Sequence, residues 1–212
     1  GWIIMIKVAM KHRDLFVTAT GQWQVGKPAR EWDLLRTPYR FHRFLTEVED
    51  VLEGAIDETT CLPQLVHLVR RLITNSYWLQ TQYIEPSPDT GTGVIMLYDE
   101  IGYPLTVQIA TYLPGVKSFI HNHGNWGVVA VLRGEEKNML WKRLSAPQLI
   151  DWVEPTAEVI LLPGDVISFT PDAIHSVMSI GDEPTVTFSL YGETHHSKRF
   201  EFDPVTHTAK NF

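Results

Sequence analysis

The sequence predicts a mainly β protein, an antiparallel barrel that follows an α-helical extension. Two observations lead to this prediction: apolar residues recur at intervals of three and four before about residue 90, and they form short runs divided by turn residues after it. Many short strands with closely spaced turns are typical of closed or double-sheet antiparallel architectures. We therefore expect residues 1–90 to form an arm and helices that pack on a barrel of residues 91–212, in one compact unit.

Three helices are expected in the first part of the chain. Thr37 and Pro38 resemble an N-cap followed by proline at the first helical position, and Gly54 is a typical C-terminal signal. A second helix is predicted from about residue 62 to 74, and a short third one over 76–83. The apolar face of the first helix consists of Phe41, Phe44, Leu45, Val48, Val51 and Leu52.

The segment before these helices gives weaker signals. Trp2–Ile6 is apolar, but five residues are too few to span a bilayer, so we expect a packed strand or arm. Residues 7–36 are interrupted by glycine and proline, which predicts an irregular region with short elements.

Nine short runs in the second part have the composition and spacing of strands. They are Val94–Tyr98, Leu105–Tyr112, Ser118–His123, Trp126–Leu132, Glu136–Lys142, Ala157–Leu162, Val166–Thr170, His175–Ser179 and Thr185–Tyr191.

Composition limits the classes of function. The chain has 212 residues, 44% hydrophobic and 20% charged, as expected for an ordinary globular protein. Its net charge of −7, with no Lys/Arg-rich run, argues against nucleic-acid and anionic-membrane partners. Because Cys61 is the single cysteine, an internal disulfide is excluded, and a cytoplasmic location is the simplest expectation.

A pair of histidines is the strongest chemical signal. His121 and His123 are separated by one residue, and side chains two apart in a strand share a face. Both imidazoles can therefore reach one metal ion, whereas Asn122 points to the opposite face and is expected to be structural.

The spacing around this pair resembles the cupin signature, in which two histidines lie between two glycines and a third follows in a second motif. Gly115 and Gly134 flank the pair in register, and His175 follows Gly164 by eleven residues. The resemblance implies a cupin double-stranded β-helix with His121, His123 and His175 as metal ligands. A barrel that has kept the fold and lost the ion is the alternative.

Within the cupins, the run from His121 to Glu135 resembles the thiol dioxygenases, the cysteine dioxygenase family. The position that usually holds a glutamate ligand is Gly127 here, and that family binds iron through three histidines alone. The resemblance implies an Fe(II) cofactor with three open positions for thiolate, amine and O2. Zinc, nickel or copper would compete for the same nitrogen ligands in recombinant protein.

The last predicted strand resembles the Ser-x-His-x-Tyr relay of that family. Thr187, Ser189 and Tyr191 share one face by alternation, but serine replaces the relay histidine and cannot take up a proton near neutral pH. Tyr191 is carried over as a catalytic hydrogen-bond donor, and Thr187 and Ser189 as substrate-binding residues; three polar side chains facing solvent are the alternative. Trp126 lines the pocket in one interpretation and packs in the core in the other.

The resemblance fails where the family binds a substrate carboxylate. An arginine or glutamine is expected on an early barrel strand, but the matching residues are Gly93, Val94 and Ile95. Lys117 or Arg133 could substitute from elsewhere. The adjacent pair His195 and His196 is a further hypothesis for a pocket role.

These observations support three hypotheses. The first is a mononuclear iron dioxygenase that adds O2 to the sulfur of a small thiol; the second is a cupin metalloenzyme that acts on a non-thiol substrate. The third is a non-catalytic cupin that binds a metal or small ligand. The expected partners are a small molecule and O2, and unpaired strand edges allow a homodimer.

Overall fold

Two β-sheets form the body of the protein. The computed structural model describes residues 12–26, 35, 37–144 and 146–212, so the expected strand or arm at Trp2–Ile6 lies outside the described residues. The strands are β1 Asp14–Val17, β2 Trp23–Val25, β3 Thr92–Asp99, β4 Leu105–Tyr112, β5 Ile120–Asn122, β6 Gly127–Arg133, β7 Glu135–Arg143, β8 Val153–Leu161, β9 Val166–Phe169, β10 Ile174–Ile180, β11 Thr185–Gly192, β12 Phe200–Asp203 and β13 Thr208–Asn211.

The strand order interleaves distant parts of the chain. One sheet, sheet A, has the order β2-β1-β9-β6-β11-β4-β3, and the other, sheet B, has the order β13-β12-β5-β10-β7-β8. Neighbouring strands run antiparallel except for β1 and β9, which are parallel. The sheets share a hydrophobic core in which Val129 and Ile167 of sheet A meet Leu140 and Leu161 of sheet B. The predicted fold class, a double-stranded β-helix with N-terminal helices, is confirmed.

In the part of the chain that the structure describes, three α-helices precede β3. They are α1 Phe41–Gly54, α2 Glu58–Asn75 and α3 Tyr77–Thr81. The apolar face of α1 packs on the outside of sheet A, where the rings of Phe44 and Phe188 meet edge to face at 6.0 Å. None of the helices in the described part of the chain is long and apolar enough to cross a membrane.

The predicted N-cap of α1 is wrong. The helix begins at Phe41 after Arg40, which makes no side-chain cap bond, and residues 37–40 lie outside it. Tyr39 is buried and donates its hydroxyl to Glu47 at 2.6 Å, while its carbonyl accepts from the Ser76 hydroxyl. These tertiary contacts hold Tyr39 outside the helix despite the helix-start sequence of Thr37 and Pro38.

The second helix begins four residues earlier than predicted, because Asp57 caps it by accepting from the Thr60 amide at 2.9 Å. Farther along α2, the buried Arg70 donates to the Asp14 carboxylate and, at 2.6 Å, to the Gly164 carbonyl. This arginine therefore fastens α2 to β1 and to the turn before β9.

All nine predicted strands are present, with ends shifted by up to four residues. Leu105–Tyr112 matches at both ends, whereas the run at Ser118–His123 is shortened to three residues. The strands β1, β2, β12 and β13 are not among the nine predicted runs. Each has only three or four residues, too few for alternation to distinguish it from a loop.

Candidate metal centre

The three predicted histidines converge on one point inside the barrel. His121 lies on β5 and pairs in register with His175 on β10, and His123 follows at the end of β5. One nitrogen of each ring lies within 4.8 Å of its counterparts in the other two rings, and the Nε2 atoms of His123 and His175 are 3.0 Å apart. Two ligands at about 2.1 Å from one ion and at right angles are about 3 Å apart, so this spacing fits a shared metal.

Hydrogen bonds fix which nitrogens face the centre. The Nδ1 atom of His121 is 2.8 Å from the Phe119 carbonyl, which can only accept. The Nδ1 atom of His175 is 2.9 Å from Oδ1 of Asn138, whose Nδ2 donates to Glu136 at 2.9 Å. Because the carboxylate orients this amide, Nδ1 of His175 carries the proton. His121 and His175 therefore present Nε2 lone pairs, the donors that a divalent cation requires.

Burial keeps the three imidazoles neutral. Desolvation lowers the pKa of His121, and it lowers the pKa values of His123 and His175 well below the usual value. A positive charge on His121 would also lower the pKa values of His123 and His175. The group could hold a metal ion at neutral pH without first losing protons.

Gly127 is surrounded in a way that leaves no room for a ligand side chain at this position. A Cβ atom at this position would lie 2.9 Å from Cδ1 and 3.0 Å from Cε1 of Tyr191. The ring of Tyr191 also stacks on His123, with centroids 5.0 Å apart. The space that a glutamate side chain would need is therefore filled by the tyrosine.

A cavity of about 220 Å³ opens beside the histidines. Its walls come from both sheets and carry several hydroxyl groups. The lining comprises Thr92, Tyr112, Val116, Lys117, Ser118, His121, His123, Val129, Glu136, His175, Val177, Ser179, Thr185, Thr187, Ser189 and Tyr191.

The proposed strand of polar residues faces this cavity. Thr187, Ser189 and Tyr191 all line it, so the alternative of a solvent-facing strand does not apply. Burial raises the pKa of Tyr191 to about 12, an effect that the Ser189 hydroxyl opposes and the Glu136 charge reinforces. Tyr191 is therefore a hydrogen-bond donor at neutral pH.

Other candidates lie outside the cavity. Trp126 is buried in the core beneath the helices and is not among the described lining residues. Asn122 is structural in its contacts: its amide donates to the Lys198 carbonyl at 2.9 Å and accepts from the Phe200 amide at 2.7 Å. It thereby ties the histidine strand to the segment before β12.

Two basic residues, Lys117 and Arg133, are candidate substitutes for the arginine that binds a substrate carboxylate, and they differ in position. Lys117 lines the cavity, although its side chain is largely exposed, whereas Arg133 is exposed on the outside and donates to the Gln80 carbonyl. The pair His195 and His196 is also outside: His195 lies near Glu193, and His196 near the Phe212 carbonyl.

Sequence reasoning missed three residues at the site: Glu136, Asn138 and Tyr112. Alternation places Glu136, Asn138 and the buried Leu140 on one face of β7, which is a signal that the face points inward. This signal is hard to recognise, because the neighbouring Glu135 and Lys137 make the strand resemble an exposed, charged one.

Comparisons with known proteins concern the fold. No family model matches the sequence. Solved structures with similarity include oxalate oxidase in complex with the substrate analogue glycolate, at 14% identity and a TM-score of 0.41 over 54% of this chain and 57% of that one. The chain thus spans just over half of that oxalate oxidase.

Two bacterial structures are similar over more of their own length. A cupin superfamily protein from Desulfitobacterium hafniense has 11% identity and a TM-score of 0.40 over 54% of this chain and 87% of that one. A protein with a double-stranded beta-helix domain from Klebsiella pneumoniae has 18% identity and a TM-score of 0.42 over 55% and 83%. These neighbours are cupin-fold proteins.

Proposed function

We propose that the protein is a mononuclear iron(II) thiol dioxygenase, which converts a small thiol RSH and O2 into the sulfinic acid RSO2H. The observation that carries the proposal is the group of three neutral imidazoles, one buried and two half-buried, next to Gly127, where the Tyr191 ring takes the place of a carboxylate ligand. Such a group leaves half of an octahedral coordination sphere free. The sequence resemblance to the cysteine dioxygenase family supports the same assignment.

The residues of the chain would divide the work as follows. His121, His123 and His175 would hold the ion, which when bound supplies the redox chemistry with O2. Asn138 orients His175 through its hydrogen bond. Tyr191 stays protonated because burial raises its pKa, so its hydroxyl can donate a hydrogen bond to a ligand in the cavity.

Ser189 limits the proton chemistry of this strand. A serine hydroxyl does not accept a proton near neutral pH as an imidazole does. In our proposal Thr187 and Ser189 therefore bind substrate or ordered water, and they do not relay protons.

The proposal is tested by oxygen consumption and product analysis. Protein loaded anaerobically with Fe(II) is mixed with a panel of small thiols, exposed to O2 and assayed for sulfinic acid. We expect sulfinic acid in proportion to the O2 consumed, and none from zinc-loaded protein or from the His121→Ala variant. Absence of O2 consumption with every thiol would overturn the proposal.

A metalloenzyme for a non-thiol substrate is the second candidate. It is favoured by Glu136, a buried carboxyl group that lines the cavity and that the thiol dioxygenase resemblance does not account for. A non-catalytic ligand-binding cupin would instead bind a small molecule tightly without turnover, in keeping with the absence of a relay histidine. Sulfinic acid formation separates the thiol dioxygenase from both of these candidates.

A further inference from the structure

Glu136 is a buried acid inside the barrel. It lies on β7 opposite Ser179 of β10, is 5% exposed and lines the same cavity as the three histidines. Its carboxylate accepts from the Asn138 amide at 2.9 Å. No lysine or arginine in the part of the chain that the structure describes forms an ion pair with it.

A buried carboxyl group without a cation is costly to ionise. Desolvation raises the pKa of Glu136 to about 7, and the Asn138 hydrogen bond offsets only part of this effect. A cation supplied by a ligand would remove the penalty, because an opposite charge in a low-dielectric site stabilises the ionised form.

The rest of the cavity wall suits the same kind of ligand. Tyr112 and Tyr191 remain protonated, since burial raises the pKa of both phenols. Ser179 and Thr185 contribute hydroxyls, which hydrogen-bond each other at 2.7 Å. Lys117 is the one lysine or arginine among the described lining residues, and its side chain is largely exposed. The buried part of the cavity is thus acidic and rich in hydroxyls.

We propose that Glu136 binds the protonated amine of the substrate and so selects a small aminothiol over a thiol that carries a carboxylate. This inference rests on the proposed function for the thiol end of the molecule and adds the group at the other end. The expected charge preference is opposite to that of an arginine clamp. Asn138 links the two ends of the site, because it contacts both Glu136 and His175.

Calorimetry with matched ligands tests the amine preference. Protein loaded with zinc is titrated at pH 7 with 2-aminoethanethiol and with 2-sulfanylethanol, in which a hydroxyl group replaces the amine. We expect the amine to bind at least about tenfold more tightly to the wild type, since hydrogen bonds to charged groups contribute more than those between neutral groups. The preference should vanish in Glu136→Gln and persist in Glu158→Gln, which removes an exposed carboxylate from β8.

Equal binding of the two ligands by the wild type, or an unchanged preference in Glu136→Gln, would overturn the inference. Circular dichroism checks the fold of each variant. Glu136→Asp is a second variant of the same residue, and its shorter carboxylate side chain should retain part of the amine preference. Should neither variant fold, the wild-type comparison alone still decides whether the cavity prefers an amine.

A sulfur-free pair separates this inference from the proposed function. Metal-free protein is titrated with propylamine and with propan-1-ol, and the amine should again bind more tightly. An amine preference without sulfinic acid from any thiol would keep the inference and reject the dioxygenase. If the protein formed sulfinic acid from 3-sulfanylpropionate as readily as from 2-aminoethanethiol and showed no amine preference, the dioxygenase would be kept and the inference about Glu136 rejected.

Discussion

The two faces of β11 are built from different residues and serve different purposes. Val186, Phe188 and Leu190 point outward into the hydrophobic core beneath the helices. Thr187 and Tyr191, which alternate with them, point inward and line the cavity. Because the helices bury the outer face of sheet A, the interior of the barrel does not have to supply the whole hydrophobic core. The comparison predicts that stability depends mainly on the outer face and ligand binding on the inner one.

The largest effect is expected from the metal centre. His121→Ala removes one of three ligands and should weaken metal binding by more than about 100-fold, since loss of a residue that merely supports a ligand typically costs about 10–100-fold. Calorimetric titration with zinc measures this affinity. His42→Ala, which removes an exposed histidine on α1, is the matched control and should bind zinc as the wild type does. Equal affinity of the His121→Ala variant and the wild type would show that these histidines are not the site.

The outer face should dominate the free energy of unfolding. Phe188 is fully buried and meets Phe44 edge to face, so Phe188→Ala should cost about 3–5 kcal/mol through lost burial and a new cavity. Urea denaturation measures the change. Zinc affinity of the folded variant is expected to stay close to that of the wild type, and a larger loss of affinity than of stability would contradict the separation of the two faces.

Glu136 should make stability depend on pH, because its pKa is raised from 4.5 to about 7 by burial. A raised pKa in the folded state means that stability is greatest below the unfolded pKa and declines as pH rises through the folded one. Relative to Glu136→Gln, metal-free wild type should lose about 2–3 kcal/mol of unfolding free energy between pH 5 and pH 8. Urea titrations of both proteins at the two pH values measure the difference. If the unfolding free energies of both proteins changed equally between pH 5 and pH 8, the raised pKa of Glu136 would be contradicted.

Much of the barrel could be predicted because long strands leave a strong periodic signal. The run at Leu105–Tyr112 alternates over eight residues and matches at both ends. The start of α1 could not be predicted from Thr37 and Pro38, because burial of Tyr39 decides the conformation there. Local sequence preferences are weak compared with such tertiary contacts.

The site divides in the same way. Histidines 121, 123 and 175 converge as their spacing predicts, since pairing between β5 and β10 places residues 121 and 175 side by side. Asn138 and Glu136 come from β7, whose pairing with β10 is not readable from either strand alone. The charge of the pocket therefore emerged only from the assembled sheets.

The smallest expected effects come from two neighbouring residues on opposite faces of β11, Thr187 and Val186. Exchanging polar for apolar at one and apolar for polar at the other compares the two faces directly. Thr187→Val removes a hydroxyl from the cavity side and should change the free energy of unfolding by about 1 kcal/mol or less, since a typical hydrogen bond contributes about that much in net terms. Val186→Thr places a hydroxyl in the core beneath the helices, where an unpaired polar group costs about 1–3 kcal/mol. Urea denaturation of both variants gives the two values under one set of conditions. Equal losses of unfolding free energy in the two variants would contradict the proposed difference between the two faces of β11. A clearly larger loss for Val186→Thr would support it, because only the outer face lies in the apolar environment that the helices provide.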